Sequence, residues 1–361
     1  ANNVQELWNN LMLGKDVITQ IPENRVELQQ AKKWINWGGF VEDMDKFDAA
    51  FFKISPREAE LMDPQQRVFL QLVGSAIEDA GYGINAFSGK RCGVFVGAKL
   101  NDYAQIIQES NEYDGYVCTG NSPSILANRV SFLFNLLGPS EAIDTACSSA
   151  LVAIHRAVQS LRSSESELAI AGGINGLFCA SGFINCAEAN MLSKDGRCKS
   201  FDADANGYVR SEGGGVIILK KLRRAIDDGD HVYGVIKGTG VNHGGHVNTL
   251  TAPNADAQAE LITSVYRNAK IAPNSISYIE THGTGTKLGD PIEINALKKA
   301  FEVLAEEEQE PETSAVHTLH SPKGHVRFEC AQRHDHIDLH GCTSCRVVLR
   351  LNAKQDQRFE T

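Results

Sequence analysis

The chain has 361 residues, which suits one large α/β unit or two fused halves with a sizeable buried interior. Hydrophobic residues make up 42% and charged residues 22%, and no apolar run approaches the roughly 20 residues of a membrane span, which excludes an integral membrane protein. The net charge of −10 argues against binding to nucleic acid or anionic lipid. Nine cysteines without the spacing of a secreted domain, and no signal-like start, predict reduced thiols and a cytoplasmic location.

Helical and strand-like patterns alternate along the chain, which indicates α/β layers. The first part has helical patterns at 63–82 and 122–138 and strand-like runs at 91–98, 141–146 and 167–175. The second part has strand-like runs at 213–222, 232–241 and 275–283 and helical patterns at 254–269 and 290–307. Two helix starts carry a capping pattern, in which Asp63 and Asp290 are predicted N-caps, followed by Pro and then by Gln66 or Glu293 at the third helical position.

Cys147 lies where the strand-like EAIDTA turns into a helix. The apolar residues that follow it are spaced by three, four and three, as in a helix packed on one face; they are Leu151, Ile154, Val158 and Leu161. Free backbone N–H groups and the positive end of the helix dipole would stabilise a thiolate there and could hold an oxyanion. The spacing alone leaves open a buried structural thiol.

His282 lies on a Gly-rich turn between the strand-like SISYIE and the helix that Asp290 begins. A histidine at the carboxyl end of a strand is well placed for a site. Gly283 and Gly285 permit unusual backbone conformations and close approach of a ligand, and Thr284 and Thr286 add hydroxyls. A loop histidine without a catalytic role is the alternative.

Together these segments resemble a β-ketoacyl synthase, specifically the ketosynthase domain of a modular polyketide synthase. DTACSSALVAIH is similar to the nucleophile motif of that family, and ETHGTGTKLGDPIE to its first histidine motif. FFKISPREAELMDPQQR, FDADANGYVRSEGGGVIILKKL and NHGG…TAPN also resemble family segments, so the resemblance runs from about residue 3 to about residue 305.

The resemblance implies a thiolase-like α/β fold with five α-β-α-β-α layers and two similar halves. It places Cys147 in an N-terminal half, residues 1–220, and His282 in a C-terminal half, residues 221–361, which is incomplete and aberrant after about residue 305. It also implies a homodimer, an acyl carrier protein as partner and neighbouring synthase domains.

In such a family Cys147 would accept an acyl chain from the phosphopantetheine arm of a carrier protein. A malonyl-type unit on a second carrier would lose carbon dioxide with the help of His282, and the enolate would attack the thioester in a Claisen condensation. Thr284 and Thr286 would hydrogen-bond the pantetheine arm. This chemistry asks for no metal and no tightly held cofactor.

The resemblance fails after residue 305, where the family has a lysine and a second histidine. Lys323 and His325 are the candidates, but the interval before them is three residues too short. A frame disruption and genuine divergence would both explain such a tail, and a zinc site is a third alternative. Its donors would be Cys330, His334, His336, His340, Cys342 and Cys345. A degenerate domain that only transfers acyl groups, or serves as a dimeric scaffold, therefore stands as an alternative function.

Overall fold

The computed structural model describes residues 1–99, 102–111 and 113–307, and beyond them the backbone of 320–321, 324–325, 327–330 and 344–351. Its helices are α1 Val4–Met12, α2 Pro56–Leu61, α3 Pro64–Asp79, α4 Asp102–Glu109, α5 Gly115–Asn121, α6 Pro123–Leu133, α7 Ser149–Ser163, α8 Ala180–Glu188, α9 Leu222–Asp227, α10 Ala255–Ala269 and α11 Gly289–Glu307. Short 3₁₀ turns occupy Val26–Lys33, Ala146–Ser148 and Pro273–Ser275.

The strands are β1 Ile18–Gln20, β2 Trp37–Gly39, β3 Cys92–Gly97, β4 Ser140–Ile143, β5 Leu168–Asn175, β6 Gly213–Lys220, β7 Gly234–Asn242, β8 Tyr278–Thr281, β9 His320–Ser321, β10 Gly324–His325, β11 Arg327–Cys330 and β12 Ser344–Leu351. The helices and strands predicted from periodicity are all found, within a few residues of their expected bounds. None of the helices in the described part of the chain is long and apolar enough to cross a membrane.

A four-stranded sheet in the order β4-β3-β5-β6 forms the centre of the first half. Strand β3 runs parallel to both β4 and β5, whereas β6 is antiparallel to β5. Every residue of β3 is buried because helices cover both faces of the sheet. Val94 and Val96 pack in the same cluster as residues of α3 and α6, while Phe95 packs with Ala153 and Ala157 of α7.

Helix α7 lies between the first-half sheet and the second-half strands. It contacts β3 and β5 on one side and β7 and β12 on the other. The Nδ1 atom of His155 is 2.9 Å from the hydroxyl of Thr239 on β7, and the next residue along that strand, Gly240, faces Leu261 of α10. Alternate residues of a strand point to opposite faces, so β7 is sandwiched between α7 and α10. The elements therefore form five layers. Helices α3 and α6 make the first, the four-stranded sheet the second, α7 the third, strands β7 and β12 the fourth, and α10 the fifth.

The second half adds two strand pairs to this arrangement. Strand β12 is antiparallel to β7, and β11 is parallel to β8. Helices α10 and α11 pack on each other through a small apolar cluster that includes Ile262, Tyr266, Ala300 and Leu304. The boundary between the halves at residues 220 and 221 stays a prediction.

One sequence expectation about α7 is wrong in part. Val158 and Leu161 are buried as predicted, but Leu151 is 38% exposed. The face against the sheet is carried by the small residues Ala153 and Ala157, both fully buried. A helix packed between two layers needs small side chains where it lies close to a sheet, and the apolar spacing alone did not show this.

Candidate active site

Cys147 lies in the 3₁₀ turn Ala146–Ser148, between the end of β4 and the first residue of α7. Its side chain is half-buried, so a substrate can approach it. The position agrees with the prediction from the sequence, because the turn directly precedes the 15-residue helix α7, whose start carries the positive end of the helix dipole.

The residue before the cysteine has an unusual backbone conformation. Ala146 has φ +57°, in the left-handed region, which costs a non-glycine residue roughly 1–2 kcal/mol. Four hydrogen bonds surround it, and one of them joins two backbone groups, from the Ser149 amide to the Ala146 carbonyl. The Ala146 amide donates to the Asp144 carboxylate at 3.0 Å, the Ser149 hydroxyl donates to the Ala146 carbonyl at 2.6 Å, and the Thr145 amide donates to the Ser149 hydroxyl at 2.9 Å.

Two glycines let the first turn of α7 come close to the sheet. A Cβ added at Gly97, the last residue of β3, would lie 2.4 Å from the amide nitrogen of Ala150. A Cβ at Gly173 of β5 would lie 2.7 Å from the Ala150 side chain. Any larger residue at either position would push the helix start, and Cys147 with it, away from the sheet.

His282 directly follows β8 and begins the Gly-rich turn, as predicted. Gly283 and Gly285 have φ values of +52° and +67°, so this turn does require glycine. The Glu293 side chain of α11, which is 4% exposed, accepts the amide of His282 at 2.8 Å and the amide of Gly283 at 2.9 Å. One buried carboxylate therefore fixes the backbone on which the imidazole is mounted.

Asp290 holds the other end of the same turn. Its carboxylate accepts the amide of Gly285 at 3.1 Å and the amide of Phe201 at 2.7 Å. The predicted capping box of α11 is therefore wrong in detail, since Asp290 and Glu293 bind the His282 turn and a first-half loop instead of capping the helix. At α3 the prediction is confirmed for the N-cap: the Asp63 side chain accepts the amide of Gln65 at 2.8 Å.

A first-half loop fastens the His282 turn from the opposite side. The Ser200 hydroxyl donates to the Gly283 carbonyl at 2.5 Å, and the Gly207 amide donates to the Gly285 carbonyl at 2.9 Å. These bonds join residues more than seventy positions apart. The two halves are thus connected at the histidine turn as well as through α7.

The predicted pantetheine-binding threonines lie beside each other. The hydroxyls of Thr284 and Thr286 are 2.9 Å apart, and the Thr286 hydroxyl also accepts the Gly289 amide at 3.0 Å. Both residues are half-buried. Their hydroxyls are positioned as a pair, and their binding to a pantetheine arm stays a prediction.

The remaining site predictions lie in the last part of the chain. Lys323 lies outside the described residues. The backbone of His325 pairs with His320 in the short β9–β10 ladder, but its side chain is outside the described part. The predicted zinc donors also have side chains outside it. Elsewhere, in the side chains that the structure describes, no group of three His, Cys, Asp or Glu is arranged to hold a metal.

Other candidate groups have environments that separate them from the chemistry. Burial raises the pKa of the Cys92 and Cys179 thiols to about 12, which keeps both protonated and unreactive. Cys118 is exposed on the surface of the short helix α5. His155, eight residues after Cys147, contacts Thr239, and burial, followed by the charges of neighbouring arginines, lowers its pKa.

Sequence reasoning missed the residues that hold the two motifs in place. The sequence pattern assigns Glu293 to a helix cap and Ser149 only to the small neighbours of Cys147 that permit close approach. It gives no role to Ser200, Gly97 and Gly173. The available signal was weak: a second small hydroxyl residue after Cys147, and glycines at the ends of two buried strands. Their partners are set by the fold, which periodicity does not specify.

Family models match most of the chain. The model of the beta-ketoacyl synthase N-terminal domain matches residues 1–225, and that of the beta-ketoacyl synthase C-terminal domain matches residues 233–328. The chain belongs to the beta-ketoacyl synthase family. The match reaches residue 328, so the predicted end of the resemblance near residue 305 is wrong. The strand β11, which begins at Arg327 and pairs with β8, lies at the end of that match.

Named relatives are polyketide synthases. Polyketide synthase PksN of Bacillus subtilis is 45% identical over 336 residues, which are 90% of this chain and 6% of that protein. Polyketide synthase ThaG of Burkholderia thailandensis is 47% identical over 311 residues, which are 83% of this chain and 6% of that protein. The chain thus spans a small part of the length of these relatives.

Solved ketosynthases share the fold. The ketosynthase from module 6 of the bacillaene synthase of Bacillus subtilis is 44% identical with a TM-score of 0.77, covering 84% of this chain and 52% of that one. The oxazolomycin ketosynthase domain of Streptomyces albus is 39% identical with a TM-score of 0.78, covering 83% of this chain and 53% of that one. The predicted thiolase-like α/β fold is confirmed.

Proposed function

We propose that this ketosynthase domain works in a modular polyketide synthase, where it accepts an acyl chain on Cys147 and extends it by decarboxylative Claisen condensation with a malonyl-type unit. The observation that carries the proposal is the strained turn at the start of α7, which presents a half-buried cysteine thiol to the N-terminal end of a long helix. The 45–47% identity to polyketide synthases supports the choice of product class.

Acyl transfer is the first step. The Cys147 thiolate attacks the thioester carbon of an acyl carrier protein, the bond from that carbon to the carrier sulfur breaks, and the carrier leaves as a thiol. Negative charge on the thiolate, and then on the oxygen of the tetrahedral intermediate, is stabilised by N–H groups at a helix start. The chain's own groups supply this without a cofactor.

Condensation is the second step, and His282 serves it. A malonyl-type thioester loses carbon dioxide and leaves an enolate, whose carbon attacks the acyl carbon on Cys147. The sulfur–carbon bond to Cys147 then breaks, which frees the thiolate and leaves a β-ketoacyl thioester on the carrier. An imidazole N–H of His282 donates to the thioester oxygen as the enolate forms. The hydrogen bonds from the amides of His282 and Gly283 to the Glu293 carboxylate keep that donor in place.

The substrates would arrive on the phosphopantetheine arm of an acyl carrier protein, with Thr284 and Thr286 as hydrogen-bonding partners of the arm. Lys323 and His325 would complete the condensing site, and both fall inside the family match. Neighbouring synthase domains and a cytoplasmic location are two further parts of the proposal.

A homodimer is part of the proposal. Strand β4 is the outermost strand of the first-half sheet in the described residues, and such an edge can pair with another chain. Large apolar side chains are exposed next to it, with Phe132 at 82% and Leu137 at 65%. Together these features form a surface that a second copy would cover.

The alternative function, acyl transfer without extension or a dimeric scaffold, is not favoured by the comparisons, because the family match includes the C-terminal domain.

Intact-protein mass spectrometry after incubation with a short acyl thioester tests the first step. We expect one acyl adduct on the unsubstituted chain and none on Cys147→Ala. An adduct that persists in Cys147→Ala would contradict the assignment of the nucleophile.

A further inference from the structure

The turn that presents Cys147 depends on a buried serine two residues later. Ser149 is 2% exposed, and its hydroxyl uses both its donor and its acceptor capacity on this turn. It accepts the Thr145 amide at 2.9 Å and donates to the Ala146 carbonyl at 2.6 Å. The two bonds lie on either side of Ala146, the residue with φ +57°.

We propose that Ser149 is a positioning residue for the nucleophile: its hydroxyl holds Ala146 in the left-handed conformation and thereby sets the direction in which Cys147 points. The φ and ψ angles of residue 146, together with the φ angle of residue 147, set the orientation of the Cα–Cβ bond of residue 147. An alanine left without these bonds favours the right-handed or extended regions. The inference rests on the proposed role of Cys147.

The neighbouring hydroxyl and carboxylate do not provide the same restraint. Asp144 is exposed and accepts the Ala146 amide, on one side of the strained residue. The Ser148 hydroxyl contacts the hydroxyl and the carbonyl of Thr145, at 2.9 and 3.0 Å, and neither atom belongs to Ala146. Among the hydrogen bonds that the structure describes, those of the Ser149 hydroxyl reach groups on both sides of the strained residue. The Ser149 amide also donates to the Ala146 carbonyl, and that bond remains in Ser149→Ala.

The backbone of Ser149 is itself held against the sheet. A Cβ built on Gly97 would be 2.4 Å from the Ser149 carbonyl carbon, so strand β3 and the helix start are in close contact. The hydroxyl therefore extends from a fixed point of the first-half core. A restraint of this kind keeps a nucleophile within the narrow range of directions that attack on a thioester needs.

The test measures the rate at which Cys147 reacts in the full chain. Iodoacetamide labels the thiol at pH 7.5, and digestion followed by mass spectrometry separates Cys147 from the exposed Cys118. Acylation by a short acyl thioester is followed in parallel. For Ser149→Ala we expect both rates to fall about tenfold.

Rescue separates positioning from a general loss of stability. Glycine adopts the left-handed region without strain, so Ala146→Gly should remove the need for the hydroxyl. We expect the double variant Ala146→Gly/Ser149→Ala to react within about threefold of Ala146→Gly alone. Ser160→Ala is the matched control, because it removes another buried hydroxyl of α7, bonded to Ser166 at 2.7 Å, far from the turn. Its rate should equal that of the unsubstituted chain.

Two results would overturn the proposal. The first is a Ser149→Ala chain that reacts as fast as the unsubstituted one, and the second is a double variant slowed about tenfold relative to Ala146→Gly. If Ser149→Ala does not fold, the double variant carries the test, and its failure to fold or to react would also overturn the proposal. An unreactive Cys147 in the unsubstituted chain would instead count against the proposed function.

Discussion

Replacing Glu293 by Gln tests whether the Glu293 carboxylate holds the turn that begins at His282. The carboxylate accepts two amides, from His282 and Gly283, and hydrogen bonds to a charged group are worth about 1.5–3 kcal/mol each. A glutamine keeps one accepting oxygen and turns its NH₂ group toward the other amide, which loses its acceptor. We expect the free energy of unfolding to fall by about 2–4 kcal/mol.

The effect on the two chemical steps should differ. Cys147 lies in the first half, so Glu293→Gln should change the rate of acyl loading by less than about threefold, under 1 kcal/mol of barrier. Condensation requires the imidazole of His282 in register with the enolate, and its rate should fall by roughly a factor of thirty to a hundred.

Urea unfolding measures the loss of stability, and mass spectrometry of the loaded and extended species measures the two steps. Glu306→Gln, the same chemical change at an exposed position in the last turn of α11, is the control and should match the unsubstituted chain. Either of two results would refute this role of Glu293: a free energy of unfolding of Glu293→Gln within about 0.5 kcal/mol of that of the unsubstituted chain, or rates of loading and condensation that fall by the same factor.

Three further substitutions test separate parts of the account. Gly97→Ala should overpack the start of α7, lower the free energy of unfolding by about 1–3 kcal/mol and slow acyl loading. Gly215→Ala is the control, because nothing lies within 4 Å of an added Cβ there, and it should change neither stability nor loading. Equal effects of the two substitutions would contradict the close approach of α7 to Gly97. Burial raises the pKa of Asp63 to about 6, so its charged form costs stability as the pH rises from about 4 through 6. We therefore expect the free energy of unfolding of Asp63→Asn, relative to that of the unsubstituted chain, to rise by up to about 3 kcal/mol from pH 4 to pH 7.5 in urea unfolding. A difference that stays constant with pH would refute the raised pKa of Asp63. Phe132→Glu should convert a dimer into a monomer of 39.3 kDa in light scattering, and an unchanged mass would exclude this surface as the interface.

The sequence allowed most of the fold to be predicted, for physical reasons. The period of apolar residues reports burial directly, so the runs that became β3, β5, α3 and α10 were found. The Asp63-Pro64 start of α3 was found because capping is a local interaction. Periodicity could not show that α7 packs through alanines, because that depends on the second layer above it.

The positions of the candidate reacting groups were predictable, but the residues that hold them were not. The motifs around Cys147 and His282 predict the reacting groups, and the structure places each residue at the predicted end of its element. The bond from Ser200 to the Gly283 carbonyl spans 83 positions, and no local pattern encodes such a contact. The same holds for Glu293, whose sequence context fits a helix cap equally well.

The central claim is that an acyl group on Cys147 is extended at the site that includes His282. The most direct measurement is a single-turnover reaction: the chain is loaded with a short acyl group, excess thioester is removed, and malonyl carrier protein is added. We expect one equivalent of carbon dioxide and a β-ketoacyl group on the carrier, with Cys147 returned to its unloaded mass. We also expect that His282→Ala loads but does not extend. Retention of the acyl group on Cys147 in the unsubstituted chain, with no extended product on the carrier, would contradict it.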